Sequence, residues 1–171
     1  MAAITDLGWS VVGLDLSADQ LQIAKRRRHA RCLVQADAAL LPFADAAFDA
    51  VVGAFIHTDV DDWSGVVCEA ARIVRPGGHF VYIGTHPCFV GPFSHYPAGE
   101  PPHLYPGYRQ TERTYAGPGI GPGLRRRVGV RHVPLALLLQ ALLQVGLHLE
   151  HIEEPGPDEF PRILALSATR P

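Results

Sequence analysis

The chain has 171 residues, 47% of them hydrophobic and 19% charged, with a formal net charge of −2 at pH 7. That length suits one domain with a sizeable core and is short for two. The charge supplies no field for nucleic acid or an anionic membrane, and no apolar run approaches the roughly 20 residues of a membrane-spanning helix. The N-terminus also lacks a basic region followed by a long apolar core, so no signal peptide is expected and a cytoplasmic location is the default. Cys32, Cys68 and Cys88 show no paired spacing. They read as small buried thiols in a reducing compartment, not as a disulfide framework or a zinc knuckle.

In chain order, Met1 to Leu7 suits a short helix stopped by Gly8. Trp9 to Leu14 reads as a strand ending at Asp15. Ser17 is an N-cap for a helix over Ala18 to Arg28, with Leu21 and Ala24 inward. Cys32 to Ala36 is a second strand. Ala50 to Ile56 is a third, apolar enough for burial on both faces, as in a parallel sheet covered by helices. Asp59 to Asp62 provides acidic residues for the start of a helix over Trp63 to Val74. Arg75-Pro76-Gly77-Gly78 ends that helix, and His79 to Gly84 is the next strand.

Thr85 to His132 is rich in Pro, Gly, His, Tyr and Arg without periodicity, and a loop of that length is a candidate lid or insertion. Its Gly-Pro repeats between Gly117 and Gly123 resemble a flexible tether. Pro134 then opens an amphipathic helix with the stripe Leu135, Leu138, Leu139 and Leu142, stopped by Gly146. Leu147 to Glu153 and Ile163 to Ala168 are the last strands, antiparallel across the Glu154 to Pro157 turn. Strands alternating with helices give an α/β class, a Rossmann-like and mostly parallel sheet with helices on both faces and an antiparallel last strand. The whole chain, 1–171, is read as a single domain with the lid at 85–132.

In such sheets ligands sit outside the carboxyl ends of the strands, where Asp15, Asp37 and His57 fall. A carboxylate at Asp15 can accept from both hydroxyls of a ribose. Asp37, one strand over, can accept from the exocyclic amine of an adenine while the Ala38 N–H reaches a ring nitrogen. The plainer reading makes both aspartates turn and cap residues. His57 and His86 are candidate acid–base groups, against the alternative of histidines bonded to loop carbonyls. His95, His103 and His132 with Cys88 match no metal-ligand spacing, so no metal is expected. Arg125 to Arg127 reads as a solvated charge run.

Three groups of residues carry a resemblance: Val11 to Ser17 with Leu21 and Ala24; Ala36-Asp37-Ala38 with Leu41-Pro42-Phe43 and Phe48-Asp49; and Arg72 to Gly78 before a strand. Together they resemble the class I S-adenosylmethionine-dependent methyltransferases of the type 11 kind. The resemblance implies S-adenosylmethionine as cofactor. It places Asp15 with Leu16 at the ribose, Asp37 and Ala38 at the adenine, and Ile56 and His57 near the methyl group. It also implies a first strand and glycine-rich loop ahead of Met1, whose absence leaves two unpaired edges in the middle of the sheet.

The expected activity is methyl transfer to a small-molecule acceptor, with no nucleic-acid or membrane partner. A homodimer or a complementing chain is the expected protein partner. One competing reading is a catalytically silent remnant or partner subunit. Another is a nicotinamide-dependent oxidoreductase sharing only Asp15, against which Asp37 and the Leu-Pro-Phe corner stand.

Overall fold

A computed structural model describes residues 2–27 and 32–171. Helix α1 (Ala2–Asp6) stops at Gly8, which takes φ 91°. It is followed by β1 (Val12–Asp15), α2 (Ala18–Arg26) and β2 (Cys32–Gln35). The Ser17 hydroxyl accepts from the Gln20 N–H at 3.3 Å and so caps α2. Met1 and Arg28, expected as helix ends, lie outside the described residues. β1 and β2 pair in parallel, from Val12 opposite Cys32 to Asp15 opposite Gln35.

The strands and helices that follow are β3 (Phe48–Ala54), α3 (Trp63–Ile73), β4 (Val74–Thr85), β5 (Ser94–His95), β6 (His103–Leu104), α4 (Leu124–Val128), α5 (Leu135–Gln144), β7 (His148–Glu153) and β8 (Ile163–Thr169). The main sheet has the order β3-β4-β8-β7. β3 and β4 are parallel, and β8 runs antiparallel to both β4 and β7. The architecture is Rossmann-like, with parallel pairing in the first strands and an antiparallel last strand. The Asp62 carboxylate caps α3 by accepting from the Gly65 N–H at 2.9 Å. The helix-ending turn at Arg75 to Gly78 is absorbed into β4 as an irregularity, where the register jumps from Phe48 opposite Val74 to Ala50 opposite His79. Gly78 is required there, because a Cβ would lie 2.7 Å from the Asp49 carbonyl oxygen.

The core lies between α3, α5 and the inner strands. Val66, Val67 and Ala70 meet Phe80 and Tyr82 of β4, Leu138 and Leu142 of α5, and Leu164 and Leu166 of β8. Trp63 joins the helices by donating its indole N–H to the Leu138 carbonyl at 3.2 Å.

Between β2 and β3 the chain is strapped along α3 by Arg72. Its guanidinium donates to the carbonyls of Leu41 and Phe43 at 3.1 and 2.8 Å and to the Asp45 carboxylate at 2.7 Å. Glu69 holds that guanidinium and also accepts from the Leu41 N–H at 2.7 Å. The Leu-Pro-Phe turn and the Phe48 corner therefore serve as an anchored crossover. Phe43 and Phe48 complete it edge to face at 4.9 Å.

Three sequence expectations are corrected. β3 is not buried on both faces: none of its residues is buried and Val52 is 46% exposed. Among the described residues it pairs with β4 alone, so it is an edge strand and one long side lacks a neighbour. Cys32 and Cys68 are exposed, not buried. The Gly-Pro stretch is no free tether. The Gly119 N–H donates to the Pro92 carbonyl at 3.0 Å, Ile120 is buried, and a Cβ on Gly119 would lie 2.0 Å from the Gly91 carbonyl oxygen.

Candidate functional site

Parallel pairing sets Asp15 opposite Gln35, so the carboxylates of Asp15 and Asp37 leave the same end of adjacent strands. Each is exposed and oriented by its own turn. Asp15 Oδ1 accepts from the Ser17 N–H at 2.8 Å, and Asp37 Oδ1 accepts from the Ala39 N–H at 2.9 Å. That leaves Oδ2 of both residues without a protein donor among the described residues, and likewise leaves the Ala38 N–H without an acceptor. Turn residue and ligand acceptor are therefore compatible roles for one carboxylate. Leu16 follows Asp15 with its side chain 68% exposed, while its carbonyl accepts from the Gln35 amide at 3.1 Å. A cleft of about 210 Å³ lies beside Asp15, between Leu14 and the α2 residues Leu21 and Ala24.

His57 and Ile56 lie past the carboxyl end of β3, where Phe55 takes φ 54° and turns the chain inward. His57 is only 1% exposed. Its Nδ1 is 2.7 Å from the Tyr82 hydroxyl, and its Nε2 is buried with no protein partner. Its ring meets Tyr82 and Trp63 edge-on, with centroids at 5.6 and 6.4 Å. Burial, reinforced by nearby His132, holds its pKa down at about 4, so the imidazole is neutral at pH 7. Gly84 is what lets the pair form, because a Cβ there would lie 2.2 Å from the Tyr82 oxygen.

His86 is also buried, at the end of the strand beside β3. Its Nε2 pairs with the Glu154 carboxylate at 2.7 Å and its Nδ1 accepts from the Cys88 N–H at 3.1 Å. The accepting Nδ1 fixes the tautomer, with the proton on Nε2 and shared with Glu154. Both nitrogens are committed. His132 is buried against Phe93 and Tyr108, and burial likewise lowers its pKa to about 4.

Arginines of the 85–132 segment hold it to the loop Thr58 to Asp61 that follows β3. Arg113 pairs with Asp61 at 3.0 Å and donates to the Asp59 carbonyl at 2.9 Å. Arg125 pairs with the Asp59 carboxylate, so the run Arg125 to Arg127 is solvated only in part. The Arg131 N–H donates to the Thr58 carbonyl at 3.0 Å. A larger cavity of about 360 Å³ lies farther out, between Asp61, Trp63, Arg131 and the α5 residues Leu137 and Gln140, and none of the expected site residues lines it.

The structure thus brings Asp15, Leu16, Asp37 and Ala38 to one rim of the β1–β2 pair and places Ile56 and His57 on the other sheet. Tyr82, Trp63, Glu154 and His132 were not anticipated as partners of the two histidines. Only Tyr82 carried a local signal, the Phe80-Tyr82-Gly84 alternation that marks one face of a strand. Among the described residues no group of three or more His, Cys, Asp or Glu side chains is placed to hold a metal. No described helix is long and apolar enough to cross a membrane.

Comparison with known proteins gives this geometry a context. The family model described as a methyltransferase domain matches residues 1–82. A demethylmenaquinone methyltransferase of Renibacterium salmoninarum is 42% identical over 89 residues, which are 52% of this chain and 37% of that protein. The chain therefore spans well under half the length of such relatives. The fold matches an S-adenosylmethionine-dependent methyltransferase of Mesorhizobium loti with TM-score 0.75 and 23% identity, over 94% of this chain and 80% of the other. It also matches a geranyl diphosphate C-methyltransferase of Streptomyces coelicolor, solved with Mg2+, geranyl diphosphate and S-adenosyl-L-homocysteine. There the TM-score is 0.68 and the identity 18%, over 99% and 65% of the two chains. Residues 1–82 thus match the methyltransferase domain family model, and the chain has the fold of the S-adenosylmethionine-dependent methyltransferase it is similar to.

Proposed function

We propose that the chain binds S-adenosylmethionine at the carboxyl ends of β1 and β2 and takes part in methyl transfer to a small-molecule acceptor. One observation carries the reading: two exposed carboxylates end adjacent parallel strands, each oriented by its own turn through one oxygen and free at the other. Asp15 then accepts from the ribose hydroxyls, with Leu16 beside it, while Asp37 and the Ala38 N–H take the amine and a ring nitrogen of the adenine. When bound, the cofactor supplies an activated methyl group on sulfur. Ile56 and His57 wall the region where that methyl lies, and the protein's main contribution is alignment and exclusion of water.

His57 stays neutral at pH 7 and held by Tyr82, so it acts as a base only after the 85–132 segment lifts from the β3 end. That opening is also how an acceptor enters, which makes the segment a lid on a single 1–171 domain. His86 serves as a second proton acceptor only at Nδ1, and only if the Cys88 N–H releases that nitrogen. A small acceptor is supported by the demethylmenaquinone and geranyl diphosphate in the names of the matched proteins. A silent subunit is the second reading, favoured by the open edges of β1 and β3.

Calorimetric titration with S-adenosylmethionine, S-adenosylhomocysteine and NAD tests this. Micromolar binding of either adenosyl ligand, on the order of −8 kcal/mol, with none for NAD and loss in Asp37→Ala, is the expected result. No heat from a cooperatively melting chain would refute it.

A further inference from the structure

Three buried side-chain atoms lack a hydrogen-bond partner among the described residues: His57 Nε2, His132 Nε2 and Thr85 Oγ1. Thr85 stands on the opposite face of β4 from Tyr82 and Gly84, so it is apart from the other two. The histidines are neighbours. The Arg131 N–H donates to the Thr58 carbonyl at 3.0 Å, which ties the residue before His132 to the residue after His57. Trp63 meets the His57 ring edge-on and lines the larger cavity together with His132, so it bridges the pair.

Each ring turns its other nitrogen toward a glycine. A Cβ on Gly84 would lie 3.0 Å from His57 Nδ1, and one on Gly91 would lie 3.3 Å from His132 Nδ1. The two nitrogens of an imidazole diverge, so each Nε2 points away from its own glycine. His57 and His132 are 1% and 3% exposed. Burying a polar nitrogen without a partner is unfavourable, and native structures leave few such atoms. Packing the 85–132 segment against the loop after β3 thus leaves two hydrogen bonds unmade.

The chemistry that meets this demand is narrow. A neutral imidazole offers one N–H and one bare nitrogen, and a hydroxyl both donates and accepts, so a single hydroxyl serves one Nε2 of each kind. A carboxylate only accepts. It would also find no free cation, because Asp59 and Arg125, the side-chain charges that act on His57, pair with each other. The walls are aromatic, with Trp63 and Tyr82 against His57 and Phe93 and Tyr108 against His132. They suit an apolar body the size of a ring.

We propose that His57 and His132 grip a neutral hydroxyl borne on a ring-sized apolar molecule, taken up when the 85–132 segment opens and enclosed between the two Nε2 atoms when it closes. His132 belongs to the segment and His57 to the loop after β3, so one ligand group pins the closed arrangement. That this molecule is the methyl acceptor rests on the methyl-transfer reading; the site itself does not.

The test titrates the full chain, with 15N-labelled histidines, at pH 7.5 with phenol and separately with toluene and benzoate. Long-range 1H–15N correlation reads each imidazole nitrogen. Phenol should move the Nε2 signals of His57 and His132 saturably with one midpoint, leave exposed His95 and His103 in place, and slow proteolysis within 85–132. Toluene and benzoate should move neither Nε2. His132→Phe keeps a ring against Phe93 and Tyr108 but removes both nitrogens, so it should melt cooperatively and bind phenol at least about tenfold more weakly. Unmoved Nε2 signals, movement at one histidine alone, or equal movement with toluene or benzoate overturns the proposal. So does undiminished phenol binding by His132→Phe. No cofactor enters the assay, so its failure leaves the cofactor reading standing. Phenol shifts in a chain that binds no S-adenosylhomocysteine would keep this site and sink the methyl-transfer reading.

Discussion

The β1–β2 half and the β3-β4-β8-β7 half use the same kind of strand and differ in what covers it. In the first, Gly13 is the only buried residue described, and α2 buries none of its side chains. In the second, α3 alone buries Trp63, Val66, Val67, Ala70, Ala71 and Ile73. The difference teaches that stability and candidate chemistry are separated: the well-packed half carries the core, while the carboxylates proposed for the cofactor stand on the thinly covered half. Low local stability is common in elements that close on ligands.

The largest effects belong to the packed half. Leu138→Ala should cost about 2–5 kcal/mol in urea unfolding, because it opens a cavity between α5 and α3. Leu21→Ala on α2, only half-buried, should cost less than about 1 kcal/mol. Equal losses would erase the contrast.

Next in size is a pH effect. Burial lowers His57 and His132 from about 6.5 in the unfolded chain to about 4 in the folded one. Between those values the unfolded chain binds more protons. Stability is therefore full above about pH 6.5 and falls as pH drops toward 4. For His57 the loss is on the order of 3 kcal/mol, and the two histidines, being neighbours, should not add. Comparing melts of the wild-type chain and His132→Gln at pH 7.5 and 4.5 checks this, and the variant should lose less on acidification.

A smaller effect is expected in the 85–132 segment. Arg113→Ala removes the hold on Asp61 and Asp59, so limited proteolysis should cut the 85–132 segment faster while the melt changes little. The smallest is Asp49→Asn, which breaks an exposed pair with Arg75 at 2.7 Å and should leave the melting temperature within error.

Much of the architecture was legible in local sequence. Ser17 and the Asp59 to Asp62 run announced their helices through capping chemistry, Leu138 and Leu142 showed the inward face of α5, and the Glu154 to Pro157 turn set β7 against β8. The exposure of β3 was not legible in its own composition, since Val51-Val52-Gly53-Ala54 looks the same whether or not a neighbour is present. Nor could spacing reveal what fixes the histidines. Tyr82 lies 25 residues from His57 and Glu154 lies 68 from His86, and neither distance leaves a periodic trace.

The most direct test of the account is hydrogen exchange with and without S-adenosylhomocysteine. The account predicts that β1 and β2 amides exchange faster than those of β4 and β8 in the free chain. The ligand should slow β1 and β2 selectively, and Asp37→Ala should abolish that slowing. Slowing spread over β4 and β8 alone, or none at β1 and β2 despite measurable binding, would contradict a cofactor site on the thinly covered half.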